Sequence, residues 1–193
     1  MTTAKHTIET VLESVASTAV TPSGGAVAGL AGAFGAALGE MVCLHTVGKD
    51  GYEDVEDELL TIGDSLETSR YRLLELADED VAAVGRVQSS FRESHASEGE
   101  QQEAMKRATE VPLETAAECL DTLEGILVAV ERGNQRAVAD GVVGAYLAHA
   151  GLCGAIATVR ANLEAIDDEE FVAETSTRTD ELEKSGRSFR DRI

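Results

Sequence analysis

The sequence predicts an all-α chain: a single domain, residues 1–193, built as a bundle of long helices that includes two buried Gly/Ala-rich helices. Three observations carry that reading. Apolar residues step by three and four over long stretches, the spacing that lines them along one side of a helix. Two other stretches, Ala26–Leu38 and Gly141–Val159, are apolar or glycine on nearly every side, and a helix without a polar face is a buried one. No alternating pattern or hairpin turn marks a strand. With aromatics at 4% and no Trp, the core is expected to come from Ala, Leu and Val.

Taken in order, Ile8, Val11, Leu12 and Val15 predict an amphipathic first helix with Thr7 as its N-cap. Pro22 and Ser23 open the second, since Pro fits a first-turn position and Ser caps free amides. Its small residues fall four apart (Gly25, Gly29, Ala33, Ala37), with a second row at Ala28, Gly32 and Ala36. Each interior Gly costs roughly 1 kcal/mol against Ala, so close packing must compensate for Gly29, Gly32, Gly35 and Gly39. Val47–Gly51 reads as a turn. From about Glu53 to Ser94 a seam runs through Leu59, Ile62, Leu66, Ser69, Leu73, Leu76, Asp80, Ala83, Val87 and Ser90. Ser94–Gln102 reads as a loop or frayed helix end, and helix resumes at Glu103. Pro112 is expected to kink or restart it. Gly133 is expected to cap that helix and Asn134 to cap the next. The charged tail from Asp167 predicts a peripheral helix anchored by Phe171, Val172, Leu182 and Phe189.

Thirty-six acidic residues against sixteen basic give a net charge of −20. Such a surface disfavours nucleic acid and anionic lipid. With only four lysines, it also suggests adaptation to concentrated salt, which screens self-repulsion. The three cysteines, Cys43, Cys119 and Cys153, form no C-x-x-C pair, so no disulfide framework is expected. The opening residues lack a signal-peptide pattern, and a cytoplasmic protein is expected. Ser14–Gly39 is long enough to span a bilayer, but Pro22–Gly25 interrupts it, and no membrane partner is expected.

Familiar metal and nucleophile motifs are absent, and His6, His45, His95 and His149 are scattered, so no metal is expected. His149 reads as a core residue. What remains is a set of polar groups where apolar ones would be cheaper: Asp80 in a seam, Asp140 before an apolar helix, Arg160 and Asn162 after it, and the amides of Gly24 and Gly25. Burial would raise the proton affinity of Asp80 into a range useful for acid–base work. A plainer role, pairing with Arg or capping a neighbouring helix, is the one its spacing alone favours. Asp140 has a plain role too, as a first-turn acid facing the helix dipole.

These residues fall within blocks that resemble the cyclodeaminase/cyclohydrolase family: TPSGGAVAGLAGAFGAALGEMV at 21–42, T-x-G-K at 46–49, LADED at 76–80, ATEVPL at 108–113, RGN at 132–134, Ala139–Asp140 and TVRAN at 158–162. That family comprises stand-alone methenyltetrahydrofolate cyclohydrolases and the cyclodeaminase domain of formiminotransferase-cyclodeaminase. The resemblance implies an all-helical homodimer acting on the one-carbon unit between N5 and N10 of tetrahydrofolate, with no metal or redox cofactor. It implies a catalytic role for Asp80, a supporting one for Asp140, and a folate site shaped by Ser23, Gly24, Gly25, Lys49, Asn134, Arg160 and Asn162. Hydrolysis of 5,10-methenyltetrahydrofolate is the expected activity. Ammonia-releasing cyclodeamination is the alternative, placed second because that domain is commonly fused to a formiminotransferase and the residues before Thr21 are too few to be one. A folate-binding dimer without turnover is a third reading. Departures bear on substrate choice: Pro-Ser-Gly-Gly-Ala at 22–26 where the family usually has Pro-Gly-Gly-Gly-Ser, Ala139 where it has Ser, Thr158 where it has Asn, and a short arm before Val111.

Overall fold

A computed structural model describes residues 5–92 and 97–190. Six α-helices carry the chain: α1 (Ile8–Val15), α2 (Gly24–Leu44), α3 (Glu56–Arg92), α4 (Glu98–Arg132), α5 (Val138–Leu163) and α6 (Glu169–Arg190), with a 3-10 turn at Glu53–Val55. No strand occurs among the described residues. Helices α2 to α5 alternate in direction, and α2 packs against the other three.

Glycine sets how close they come. A Cβ on Gly35 would lie 2.7 Å from the Gly144 carbonyl oxygen, one on Gly144 would lie 3.0 Å from the Gly35 oxygen, and one on Gly151 would lie 2.8 Å from the Ala28 oxygen. Here α2 and α5 touch backbone to backbone. The Cys119 thiol of α4 fills the space left by Gly32 and Gly151. The expected seam of α3 is buried through Leu59, Leu66, Ser69, Leu73, Leu76, Asp80 and Ala83.

Pro112 does not break α4, which runs unbroken through it. Proline leaves the carbonyl four residues earlier without its amide. That carbonyl belongs to Ala108, and the Asn162 side-chain amide of α5 donates to it at 2.7 Å. Helix α4 also starts earlier than expected, because Ser97 and Glu100 form a capping box; residues 94–96 of the expected loop lie outside the described chain. Gly133 ends α4 with extended backbone rather than a left-handed cap. Glycine is needed there for space, since a Cβ would collide with the Ala129 carbonyl. Asn134 does not cap α5, whose N-cap is Ala137. The turn after α2 is as expected, with Gly48 and Gly51 at positive φ.

On α3 and α4, Arg72, Glu79, Arg107 and Glu114 close a ring of four ion pairs between 2.6 and 2.9 Å. The ring fixes the two helices beside Asp80. Helix α6 crosses the outside, with Leu182 and Phe189 packed on the core. Two further expectations fail. Only eleven of the twenty-one residues of α2 are buried, because its outer side, like that of α5, is uncovered; Phe34 (51%) and Tyr146 (56%) stand in the open. His149 is half-buried beside Cys153 on that outer side rather than in the core. Helix α1 has its Thr7 cap but buries no residue.

Packing and helix propensity make opposite predictions for two glycines. Gly85→Ala, with nothing within 4 Å of the new carbon, is expected to raise stability by about 0.5–1 kcal/mol. Gly35→Ala is expected to lower it by about 1–3 kcal/mol through overpacking. Urea unfolding checks both, and a stabilised Gly35→Ala would contradict the packing described.

Candidate active site

Ser23 occupies the N-cap position of α2, yet its hydroxyl does not cap its own helix. It donates to Asp80 Oδ2 at 2.8 Å, and the same oxygen accepts the Ala26 N–H at 2.9 Å. Asp80, arriving from α3, therefore holds one of the first-turn amides that a helix leaves unsatisfied. The plain role allowed by the sequence, a carboxylate capping a neighbouring helix, is what Oδ2 performs.

Oδ1 is different. It accepts no hydrogen bond among the described residues. Nor is it sealed in: the fully enclosed side-chain polar atom lacking a partner among those residues is Thr122 Oγ1. Oδ1 lies over Gly25, where a Cβ would come within 2.7 Å of the Asp80 carboxyl carbon. Glycine at position 25 thus makes room for the carboxylate. The amides of Gly24 and Gly25 start the helix beside it, a positive end suited to an electron-rich oxygen. Burial, at 2% exposure, pushes the Asp80 carboxyl above the ordinary carboxylate range, and the bonds from Ser23 and Ala26 partly offset that rise.

An open cavity of about 110 Å³ is lined by His6, Thr10, Val11 and Ser14 of the α1 segment, by Thr21 and Pro22, and by Val81, the last two being the chain neighbours of Ser23 and Asp80. The sequence alone does not mark this wall, because a lone His ahead of a short helix carries no motif. Thr158, half-buried on α5, donates its hydroxyl to the Gly154 carbonyl and lies 3.8 Å from where a Gly24 Cβ would be.

The other expected site residues divide between two ends of the bundle. Ser23, Gly24, Gly25 and Asp80 meet at the start of α2, and Arg160 lies towards the same end on α5. Its guanidinium is paired with Asp180 and Glu183 of α6. Asn162 satisfies the carbonyl freed by Pro112. Lys49, Asn134 and Asp140 lie at the far end of α2, roughly 30 Å away at 1.5 Å per residue. There Lys49 sits over the Tyr52 ring, Asn134 is tied to His45 and Arg136 backbone, and Asp140 is exposed in the first turn of α5. Among the described residues no three His, Cys, Asp or Glu side chains gather as a metal cage requires.

Comparison with known proteins gives a consistent neighbourhood. The sequence profile of the formiminotransferase-cyclodeaminase family matches residues 7–181. A methenyltetrahydrofolate cyclohydrolase of Methylorubrum extorquens is 34% identical over 195 residues, covering 97% of this chain and 94% of its own. A formimidoyltransferase-cyclodeaminase of Gallus gallus is 32% identical over 162 residues, 80% of this chain but 30% of the larger protein. The solved structure of a formiminotetrahydrofolate cyclodeaminase from Thermotoga maritima superposes with a TM-score of 0.93 at 33% identity, covering 98% of this chain and 94% of that one.

The raised proton affinity of Asp80 has a consequence for stability. A carboxyl that binds its proton more tightly folded than unfolded stabilises the fold fully in acid and loses that contribution as pH rises through its folded-state value. Ionised Asp80 therefore lowers stability at neutral pH. Asp80→Asn is expected to melt at or above the native chain at about pH 8, with the gap closing towards about pH 4, near the ordinary carboxylate range. Thermal scans at both pH values check this, and a variant melting well below the native chain at the higher pH would contradict it.

Proposed function

Given that this chain belongs to the formiminotransferase-cyclodeaminase family, we propose that it hydrolyses 5,10-methenyltetrahydrofolate to 10-formyltetrahydrofolate. The observation that carries the reading is the buried carboxylate of Asp80, with Oδ2 held by two donors and Oδ1 unengaged. The substrate is a cation whose bridging carbon is already electrophilic. The enzyme must supply a placed water, a proton acceptor and negative charge nearby, and one ionised carboxylate meets the last two needs. Water adds to the bridging carbon while Asp80 Oδ1 takes one of its protons, giving a neutral carbinol. That proton then passes to N5 as the carbon–N5 bond breaks. The carbinol hydroxyl loses its proton to solvent and becomes the formyl oxygen on N10. The amides of Gly24 and Gly25, at the positive start of α2, would offer donors to the developing oxygen. No metal or redox cofactor is called for by these steps.

Cyclodeamination is the second reading, favoured by the likeness to the Thermotoga structure. There N10 closes on the formimino carbon and ammonia leaves, and the same carboxylate moves the protons. The two are separated by following methenyltetrahydrofolate absorbance and, in parallel, ammonia release from formiminotetrahydrofolate. Asp80→Asn is expected to lower the hydrolytic rate by about 10²–10⁴-fold, the range for a lost general base. Full activity in that variant would remove Asp80 from the chemistry. Ammonia release without hydrolysis would select the second reading.

We also propose a homodimer, cytoplasmic and adapted to concentrated salt. Two observations support a second copy over the open side of α2 and α5. That side is apolar through Val27, Phe34, Val143 and Tyr146. The family's site positions also stand at opposite ends of α2, so an antiparallel second copy would bring its Lys49, Asn134 and Asp140 end to the Asp80 end. The salt reading rests on 36 acidic against 16 basic residues. The native chain is expected at twice its monomer mass, melting higher in molar KCl than in dilute buffer, and Phe34→Glu is expected at monomer mass with little turnover. Light scattering with thermal scans checks these, and an active monomer would contradict the dimeric site.

A further inference from the structure

The N-cap serine of α2 is unusual in what it does. A serine at that position normally accepts an amide of its own helix. Ser23 makes no such bond and donates to the carboxylate of another helix. The amide it might have taken, that of Ala26, goes to the same carboxylate oxygen. Both donors therefore act on Oδ2. Having no side chain, Gly25 leaves the space that Oδ1 occupies, which a Cβ there would invade.

We propose that Ser23 is a positioning residue, whose hydroxyl locks the Asp80 carboxylate in one rotation and leaves Oδ1 as the oxygen that exchanges protons with the substrate. The inference rests on the reading of Asp80 as the proton acceptor. Without the hydroxyl, Ala26 N–H alone would hold the carboxylate, which could then turn about its terminal torsion and present either oxygen. The charged form would also lose a donor, and its affinity for the proton would rise. From α2 the carboxylate meets Ser23, Gly25 and Ala26; on α5 Thr158 lies against Gly24; His6, just ahead of α1, lines the same cavity as Val81. On α3 itself Asp78 and Glu79 precede it, and Glu79 is held by Arg72 and Arg107. Burial and the two hydrogen bonds, rather than a neighbouring charge, govern its protonation.

The test compares the pH dependence of kcat/KM for the native enzyme, Ser23→Ala, Ser23→Thr, Asp80→Asn and His6→Asn, using single turnovers with excess enzyme where turnover is slow. Ser23→Ala is expected to lose about ten- to a hundredfold, the range for a hydrogen bond to a charged group. Its acid limb is expected to move to higher pH, Ser23→Thr to restore both rate and limb, and His6→Asn to leave the limb in place. An unchanged limb in Ser23→Ala, a threonine variant that recovers nothing, or a limb that follows His6 would overturn the proposal. Asp80→Asn separates the two levels. If it is inactive while Ser23→Ala behaves as native, only the role of Ser23 falls; if it is fully active, the reading of Asp80 falls with it.

Discussion

Contact between the backbones of α2 and its neighbours is the constraint on which the rest of this structure depends. An interior glycine costs roughly 1 kcal/mol of helix propensity, and α2 accepts that cost repeatedly because its glycines admit the carbonyls and side chains of α3, α4 and α5. Gly29 receives Leu73 and Ala77, Gly32 receives Leu73 and Cys119, and Gly39 receives Leu66 and Ile126. Gly25 belongs to the same row, one turn before Gly29, and what it receives is Asp80. The candidate active site is thus the last step of the packing pattern, with a carboxylate where an apolar side chain would otherwise sit. Because the helix begins there, its free amides stabilise a charge that burial alone would expel.

The far ends of the helices are secured by different means. At the Asp80 end, the ring of Arg72, Glu79, Arg107 and Glu114 joins α3 to α4. Each such half-exposed pair contributes only about 0–1 kcal/mol, but the closed ring fixes register next to the carboxylate. At the other end Asn134 and Thr46 tie α2 to the turn before α5. Cations are scarce in a chain of net charge −20, and Arg70, Arg72, Lys106, Arg107, Arg132 and Arg160 are all engaged in ion pairs. Arg160, which the family resemblance places near the folate, is occupied within the chain by α6.

The helices were legible in the sequence because each declares itself locally, by a period of three and four or by a run of small residues. Asp80 was legible for the same reason: a carboxylate in the phase of a buried seam breaks the pattern. What sequence could not convey were partners distant along the chain. Nothing near Pro112 announces that Asn162, fifty residues on, will satisfy the carbonyl the proline frees, so the sequence predicts a kink or restart where an unbroken helix stands. Ser23 looked like a helix cap because caps are read from neighbours in sequence, whereas its hydroxyl reaches α3. The serine usual at position 26 looked lost, yet the alanine there still brings its amide to Asp80, and a hydroxyl three residues earlier joins it. Apolarity all round α2 and α5 was read as burial, but a single chain covers only one side of each.

Catalysis as proposed for this site depends on the state of one carboxyl group. Asp80 can be observed directly by carbon NMR with aspartate labelled at its side-chain carboxyl, the resonance identified by its absence in Asp80→Asn. Its titration is expected above the ordinary aspartate range and coincident with the acid limb of kcat/KM for methenyltetrahydrofolate hydrolysis. A group titrating as an ordinary exposed aspartate, with the activity limb elsewhere, would contradict it.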